Sequence, residues 1–110
     1  MIVEQIIYGL HPGKAPALVA AYEAEGLKVI SRHLGRLVAW LVTDTGDLDE
    51  VCHIWAFEDA ADRERRHAAL AADPVWQRFT GTYGHLLVRR RNHIWRAVLA
   101  EPRTAGEDPV

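Results

Sequence analysis

Two side chains that could do chemistry, His53 and Trp55, lie two residues apart in the segment VCHIWAFED (51–59). Successive side chains of a strand point to opposite faces, so this spacing places both on one face. Burial beside an aromatic ring lowers the pKa of an imidazole and keeps it neutral. His53 is therefore a candidate general base or haem ligand in a dry pocket. The alternative is a core histidine hydrogen-bonded to a carbonyl, which the lack of a second polar partner at fixed spacing favours.

Three aromatic residues are candidates to line a pocket around His53. Tyr8 lies in the first predicted strand, Trp40 in the second, and Trp55 in the third, beside His53. An apolar enclosure of this kind excludes water and suits a small hydrophobic or phenolic ligand. The alternative is that these aromatic side chains are core packing.

The last predicted strand carries the run RRR (89–91). Because side chains alternate along a strand, Arg91 shares a face with His93 and Trp95, and one hypothesis is that this face meets the cavity of His53. Arg91 would then bind an acidic or phenolic ligand. The alternative, which we prefer, is an edge strand protected from aggregation by its cations. Glu4 is the one carboxylate expected to be partly buried, and it needs a partner such as Arg91 or another strand arginine.

The histidines do not form a metal-binding pattern. No two have the spacing of a ligand pair, and Cys52 is the single cysteine, so the sequence predicts neither a metal site nor an internal disulfide. The stretch DRERRH (62–67) alternates in sign, which is typical of a solvated helix face rather than a nucleic-acid patch. The histidines considered are His33, His53, His67, His85 and His93.

Composition limits the class of protein. The 110 residues suffice for one domain, which we place at 1–99, with a flexible tail at 100–110. The net charge of −2 gives no general attraction to nucleic acid or to an anionic membrane. No stretch approaches the roughly 20 apolar residues of a membrane span, and no basic start precedes an apolar run. We therefore expect a cytoplasmic protein without a cofactor.

The hydrophobic pattern predicts the order strand, helix, strand, strand, helix, short helix, strand. This is the split βαβ pattern of a ferredoxin-like α+β fold with a four-stranded antiparallel sheet. Asp59 and Asp73 are predicted N-caps, and Trp76 is expected to be buried as an anchor of the short helix. Gly26 interrupts the first helix, either as a kink or at a close approach. The predicted elements are 2–8, 17–33, 37–43, 51–59, 60–72, a short helix from Pro74, and 86–99.

The strands raise the question of what covers the sheet. Helices of this fold cover one face only, yet the first and third strands are apolar on both faces. The simplest solution is a second copy packed on the other face. The sequence therefore predicts a homodimer, a dimeric α+β barrel.

The chain resembles the NIPSNAP family of dimeric α+β-barrel proteins. The likeness covers roughly residues 2–99: Glu4 and Tyr8 with PGK after them, YEAEGL (22–27), RHLG (32–35), and the long stretch 51–79. It departs at two positions, because Ile6 stands where the family often has arginine and Phe57 where it usually has tyrosine. If relatives use that arginine and that phenol to hold an anionic ligand, this chain lacks both groups.

The resemblance leaves the function open. The family's activity is poorly defined, its animal members resemble mitochondrial and vesicle-associated adaptors, and the wider superfamily includes cofactor-free monooxygenases, cyclases and haem-degrading enzymes. One hypothesis is a cofactor-independent oxygenase, cyclase or isomerase with His53 moving the proton. The other is a non-catalytic dimer that binds a partner or a hydrophobic ligand, and haem binding is a third, weaker one. A cavity above ~300 Å³ at His53 favours the first, and a packed interior the second.

Overall fold

A computed structural model of the protein describes residues 1–99, so the predicted tail, 100–110, lies outside the described residues. Four strands form one antiparallel sheet in the order β2-β3-β1-β4. They are β1 (Ile2–Leu10), β2 (Arg36–Val42), β3 (Glu50–Phe57) and β4 (Leu87–Arg96). The predicted four-stranded α+β fold is confirmed, and β4 lies at an edge, as its cations suggested.

The helices fill the two crossovers of this split βαβ fold. Between β1 and β2 the chain forms α1 (Ala15–Ala21), a π-helical turn (Tyr22–Gly26) and α2 (Leu27–Leu34). Between β3 and β4 it forms α3 (Ala60–Ala72) and α4 (Pro74–Tyr83). The predicted first helix is thus present, and the interruption at Gly26 is the end of a π-helical turn rather than a break.

Side-chain caps start both helices of the second crossover, as predicted. The carboxylate of Asp59 accepts a hydrogen bond from the backbone N–H of Asp62 at 2.8 Å. That of Asp73 accepts one from the N–H of Val75, also at 2.8 Å. The second oxygen of Asp73 lies 2.7 Å from Nε2 of His33, and this hydrogen bond lowers the pKa of Asp73. One aspartate therefore caps the start of α4 and hydrogen-bonds to a residue near the end of α2.

The helices cover one face of the sheet. On β1 the side chains of Glu4, Ile6 and Tyr8 are buried towards the helices, while Val3 and Ile7 are only partly buried on the other face. The apolar character of both faces is therefore real, but within residues 1–99 only one of them is covered. We call the other the outer face.

A bulge in β2 changes the predicted faces of that strand. Leu37 pairs with Trp55 and Trp40 with His53, and the register shifts between Leu37 and Ala39. Val38 is the extra residue of this bulge, so it does not share the face of Trp40 as simple alternation along the strand would predict. The bulge is what brings the indole of Trp40 directly opposite His53.

A buried carboxylate joins three elements on the covered face. Glu4 on β1 is fully buried and accepts hydrogen bonds from Arg63 Nη2 at 2.7 Å and Asn92 Nδ2 at 2.8 Å, both to Oε2. Its Oε1 lies 2.6 Å from Nε2 of His67. Burial raises the pKa of Glu4, but the bonds from His67, Arg63 and Asn92 outweigh it and lower the pKa to about 2. A charged carboxylate thus holds α3 and β4 against β1.

This arrangement corrects two expectations. Glu4 was expected to pair with Arg91 or another strand arginine, but its arginine partner, Arg63, comes from α3. The stretch 62–67 was expected to be a solvated helix face, yet Asp62 is buried and Arg63 and His67 are half-buried. Arg63 and His67 lie one helical turn apart, so both side chains reach the same carboxylate.

The π-helical turn allows an aromatic ring to pack on the helix backbone. A Cβ atom built on Gly26 would lie 2.5 Å from Cζ of Phe79 and 2.9 Å from Cδ1 of Tyr22. Phe79 is held in turn by Tyr22, at 5.0 Å between ring centroids, and by Trp76, at 5.5 Å. A methyl group at this position would force the ring of Phe79 to shift, so Gly26 marks the close approach that the sequence suggested.

Replacing either of two helical glycines by alanine should have opposite effects. Gly26→Ala should lower the free energy of unfolding by about 1–3 kcal/mol, because its methyl group overlaps the ring of Phe79. Gly81→Ala in α4 should raise it by roughly 0.5–1 kcal/mol, because no atom lies within 4 Å of the new Cβ and alanine favours the helix. Urea unfolding of both variants checks this pair, and a stable Gly26→Ala protein would contradict the packing argument.

Glu4→Gln should destabilise the protein at pH 7 by about 3 kcal/mol, because the lowered pKa of Glu4 corresponds to stabilisation of its charged form. This contribution is fully present above pH 4.5 and is lost as the pH falls towards 2. The stability difference between the wild-type and Glu4→Gln proteins should therefore shrink over that range in urea unfolding. Glu64→Gln, the same change at an exposed position on α3, is the matched control and should show no such difference.

Candidate functional site

His53 lies at the centre of the covered face with two indoles against its ring. Trp55 Nε1 donates a hydrogen bond of 2.6 Å to Nδ1 of His53 from the same strand. Trp40 stacks on the imidazole from β2, with ring centroids 5.5 Å apart and planes 18° apart. His53 and Trp55 are both fully buried. The i, i+2 spacing noticed in the sequence therefore produces a direct hydrogen bond.

These contacts determine the protonation of His53. Burial lowers its pKa to about 3, with a further contribution from the positive charge of Arg90, so the ring is neutral at pH 7. A neutral imidazole carries one proton, and Nδ1 must be the bare nitrogen because it accepts from Trp55. The proton is therefore on Nε2. This N–H is buried and has no hydrogen-bond partner among the described residues.

An unpaired buried N–H is costly, and His53 lines a cavity in which a partner could bind. We call this the His53 cavity. Its volume is about 150 Å³. Isoleucine and leucine side chains form much of its wall, and the polar and aromatic residues in the wall are Tyr8, His53, His67, Trp76 and Arg90.

A second cavity, of about 240 Å³, adjoins the first and shares Tyr8, Trp76 and Arg90 with it. Its other walls include Tyr22 and Phe79, so it is largely aromatic. We call it the aromatic cavity. Neither volume reaches the ~300 Å³ expected for a drug-sized site, yet the interior is not fully packed either. A space near 150 Å³ accommodates a molecule of the size of benzene.

Two tyrosines and one arginine border these cavities. The hydroxyls of Tyr8 and Tyr22 lie 3.5 Å apart, and burial raises the pKa of both phenols, so they are protonated at neutral pH. The guanidinium of Arg90 lies 5.9 Å from the ring centroid of Tyr8. Arg90 forms a hydrogen bond with Asn92 but has no carboxylate partner among residues 1–99. No carboxylate among these residues neutralises its positive charge at the cavity wall.

The structure brings together most of the residues singled out in the sequence. Tyr8 lines the His53 cavity, whereas Trp40 and Trp55 contact the imidazole without lining that cavity. They position His53 rather than surround a ligand. Trp76, expected to be buried, is half-buried at the junction of the two cavities.

Arg91 does not face the cavity. It pairs with Ile7, whose side chain is on the outer face, and its side chain is 63% exposed beside Glu50. Arg90 pairs with Tyr8 and lies on the face of His53. The sequence predicted that the cations alternate, but the hypothesis that Arg91 points inwards does not match the structure, because the inward position depends on the pairing with β1.

His67 was missed as a site residue. It lines the His53 cavity while its Nε2 lies 2.6 Å from Glu4. A signal was present in the sequence, because Glu4 was recognised as a buried carboxylate in need of partners. Arg63 and His67, four residues apart, are a helical pair suited to supply them. The sequence did not show that this helix face would turn towards β1.

Other classes of site receive no support from the described part of the chain. Within residues 1–99, no group of three or more histidine, cysteine, aspartate or glutamate side chains could hold a metal ion. None of the helices in that range is long and apolar enough to cross a bilayer. The cytoplasmic location stays a prediction.

Comparisons with known proteins agree on the fold and the family. The family model NIPSNAP matches residues 3–100. An uncharacterized NIPSNAP-like domain protein from Burkholderia xenovorans is 40% identical over 93% of this chain and 89% of its own, with a TM-score of 0.88. A NIPSNAP family protein with unknown function from Agrobacterium tumefaciens is 35% identical over 93% of this chain and 92% of its own, with a TM-score of 0.87.

More distant structures share the fold alone. A putative antibiotic biosynthesis monooxygenase from Nitrosomonas europaea has a TM-score of 0.66 at 14% identity, and covers 90% of this chain and 100% of its own. A search of curated proteins finds no match. Since the family model and the two similar structures span nearly all of the described residues, the chain belongs to the NIPSNAP family.

Proposed function

We propose that this protein binds a small, one-ring hydrophobic molecule with an oxygen acceptor in the His53 cavity. The observation that carries the proposal is the buried N–H at Nε2 of His53, which has no partner among the described residues. An acceptor oxygen on a ligand would satisfy it, and Arg90 adds a positive charge at the same wall. The ligand is thus a phenol or a ketone rather than a pure hydrocarbon.

The size of the cavity supports the same class of ligand. A volume of about 150 Å³ suits a single ring, and the adjoining aromatic cavity can take a substituent on that ring. The phenolic ligand expected from the sequence fits this description. A non-catalytic binding protein uses the same cavity, so binding is the function common to both hypotheses.

Haem fits His53 poorly. Coordination of iron through Nε2 of a neutral imidazole requires the proton on Nδ1. That proton would then face the N–H of Trp55, which lies 2.6 Å away as a donor. A cavity of about 150 Å³ is also far smaller than the macrocycle. These two features argue against the weaker hypothesis of haem binding through His53.

A second copy of the chain is the proposed cover for the outer face. Charged side chains such as Arg91 and Glu50 pair near one end, 3.6 Å apart, and apolar side chains surround Gln5 in the middle of the face. A mainly apolar centre with a polar rim is the usual anatomy of a protein interface. The apolar residues are Val3, Ile7, Leu41, Cys52 and Ile54.

Phenol is the probe for the proposed ligand site. At a concentration a hundredfold above its Kd, it should stabilise the protein by about 3 kcal/mol, seen as a rise in Tm. Benzene should bind roughly tenfold more weakly, because it offers no acceptor to His53. Ala71→Met places a larger side chain in the cavity wall and should abolish the stabilisation by phenol. Ala72→Met, on the same helix but outside the wall, should not abolish it. Equal binding by the two variants would contradict the site.

Light scattering tests the dimer. We expect the wild-type protein to be a homodimer at micromolar concentration, and Ile54→Glu to be a folded monomer because it places a charge at the centre of the interface. Val75→Glu, at an exposed position on α4, is the matched control and should remain dimeric. A stable wild-type monomer would rule out this use of the outer face.

A further inference from the structure

Two histidines line the His53 cavity, and their hydrogen bonds fix the same tautomer, with the proton on Nε2, but leave opposite positions open: the Nε2–H of His53 and the bare Nδ1 of His67. For His53, Trp55 donates to Nδ1, which leaves the proton on Nε2. For His67, Nε2 lies 2.6 Å from a carboxylate oxygen of Glu4 and must donate to it. Glu4 is ionised, since its pKa is about 2, and so can only accept. In its neutral form His67 therefore has a bare Nδ1.

The Glu4–His67 pair has the features of an oriented base. The carboxylate is fully buried, and Arg63 and Asn92 occupy its other oxygen, so it is fixed in place. A carboxylate that accepts from one imidazole nitrogen sets the tautomer and stabilises the cation formed when the other nitrogen takes a proton. Nδ1 of His67 has no hydrogen-bond partner among residues 1–99 and remains available for a ligand's proton.

His53 cannot fill this role while Trp55 holds its ring. Its only open position is the N–H of Nε2, which is a donor, and accepting a proton at Nδ1 would require loss of the Trp55 bond. The burial that lowers its pKa opposes the cation as well. A neutral histidine that donates to a carbonyl oxygen is an established catalytic arrangement in other enzymes. The sequence expectation of His53 as the general base does not suit this geometry.

We propose that the cavity is a donor–acceptor site, in which His67 Nδ1 takes a proton from the ligand and His53 Nε2–H stabilises the oxyanion that results. The proposal rests on the proposed function, since it needs a ligand in the His53 cavity. Arg90, in the same wall and without a carboxylate partner among the described residues, supplies a positive charge to the same oxyanion. The ligand class is a one-ring phenol or an enolisable cyclic ketone.

The reaction this site supports is proton transfer beside a carbonyl. The Cα–H bond of the ketone breaks, its proton goes to His67 Nδ1, and its electron pair forms the C=C bond of the enolate. The carbonyl electrons move to oxygen, which accepts from His53 Nε2–H. In a cyclic ketone with a C=C bond between Cβ and Cγ, the enolate extends to Cγ, so return of the same proton to Cγ gives the conjugated isomer and restores both histidines. The step consumes no oxidant, so it corresponds to isomerase chemistry rather than oxygenation.

Nitrogen-15 NMR of the imidazoles tests the assignment without any ligand. In the wild-type protein, His53 should show a protonated Nε2 and a bare Nδ1. Neutral His67 should show the same protonated Nε2 and bare Nδ1, but with Nε2 bonded to the carboxylate and Nδ1 open. The signals are assigned by their loss in His53→Phe and His67→Gln. A proton on Nδ1 of either neutral ring would overturn the proposal.

4-Nitrophenol then tests the division of roles, because its phenolate absorbs visible light and its phenol does not. At a pH where most of the free probe is protonated, the wild-type protein should raise the phenolate fraction of the bound probe. His67→Gln should bind within a few-fold of wild type but without the added phenolate. His53→Phe should bind at least tenfold more weakly. His85→Gln, an exposed histidine outside both cavities, is the control and should match wild type.

The outcomes separate the two proposals. If the wild-type protein binds neither phenol nor 4-nitrophenol, the proposed function fails, whatever the tautomers. If it binds 4-nitrophenol and His67→Gln produces as much phenolate as wild type, ligand binding stands and the role of His67 is overturned. Loss of the phenolate signal in His67→Gln alone, with circular dichroism unchanged, supports the donor–acceptor site.

Discussion

The carboxylate of Glu4 is the interaction on which the arrangement of this molecule depends. A buried charge is tolerated only when its hydrogen bonds replace water, and here three donors from α3 and β4 do so. α3 has few large apolar side chains, so hydrophobic packing alone fixes it weakly against the sheet. The hydrogen bonds of Arg63 and His67 to Glu4 therefore fix the position of α3 on the sheet. The same carboxylate that positions the helix also orients an imidazole at the cavity wall.

In the first crossover, aromatic packing rather than a buried charge holds the helical segment in place. The π-helical turn ending at Gly26 widens the helix where the ring of Phe79 meets its backbone, and Tyr22 in that turn contacts both Phe79 and Trp40. π-Helical turns of this kind occur often at functional sites. In this protein the turn places the hydroxyl of Tyr22 beside that of Tyr8, at the boundary of the two cavities.

The proposed chemistry follows from these two supports. His53 is held by Trp55 and Trp40 from the sheet, and His67 is held by Glu4 through α3. Each imidazole is thus fixed by its neighbours before any ligand arrives, which is the condition for precise hydrogen bonding to a ligand. The shared fold with distant monooxygenase-like structures does not supply this argument, because function depends on the residues of the site.

The sequence by itself determined the features that depend on neighbours along the chain. Alternation placed His53 and Trp55 on one face, the caps at Asp59 and Asp73 started the helices, and the element order predicted the sheet. These features follow from local geometry, since a strand repeats every two residues and a cap lies within one turn of its helix.

Only the tertiary structure decided which distant side chains meet. Arg90 rather than Arg91 faces the cavity because pairing with β1 sets the phase of β4. Glu4 meets His67, 63 positions away, because α3 crosses β1 in three dimensions. Alternation and helical spacing predict which residues share a face but not what that face will contact. Strand register and helix packing, which depend on the whole core, settle that choice.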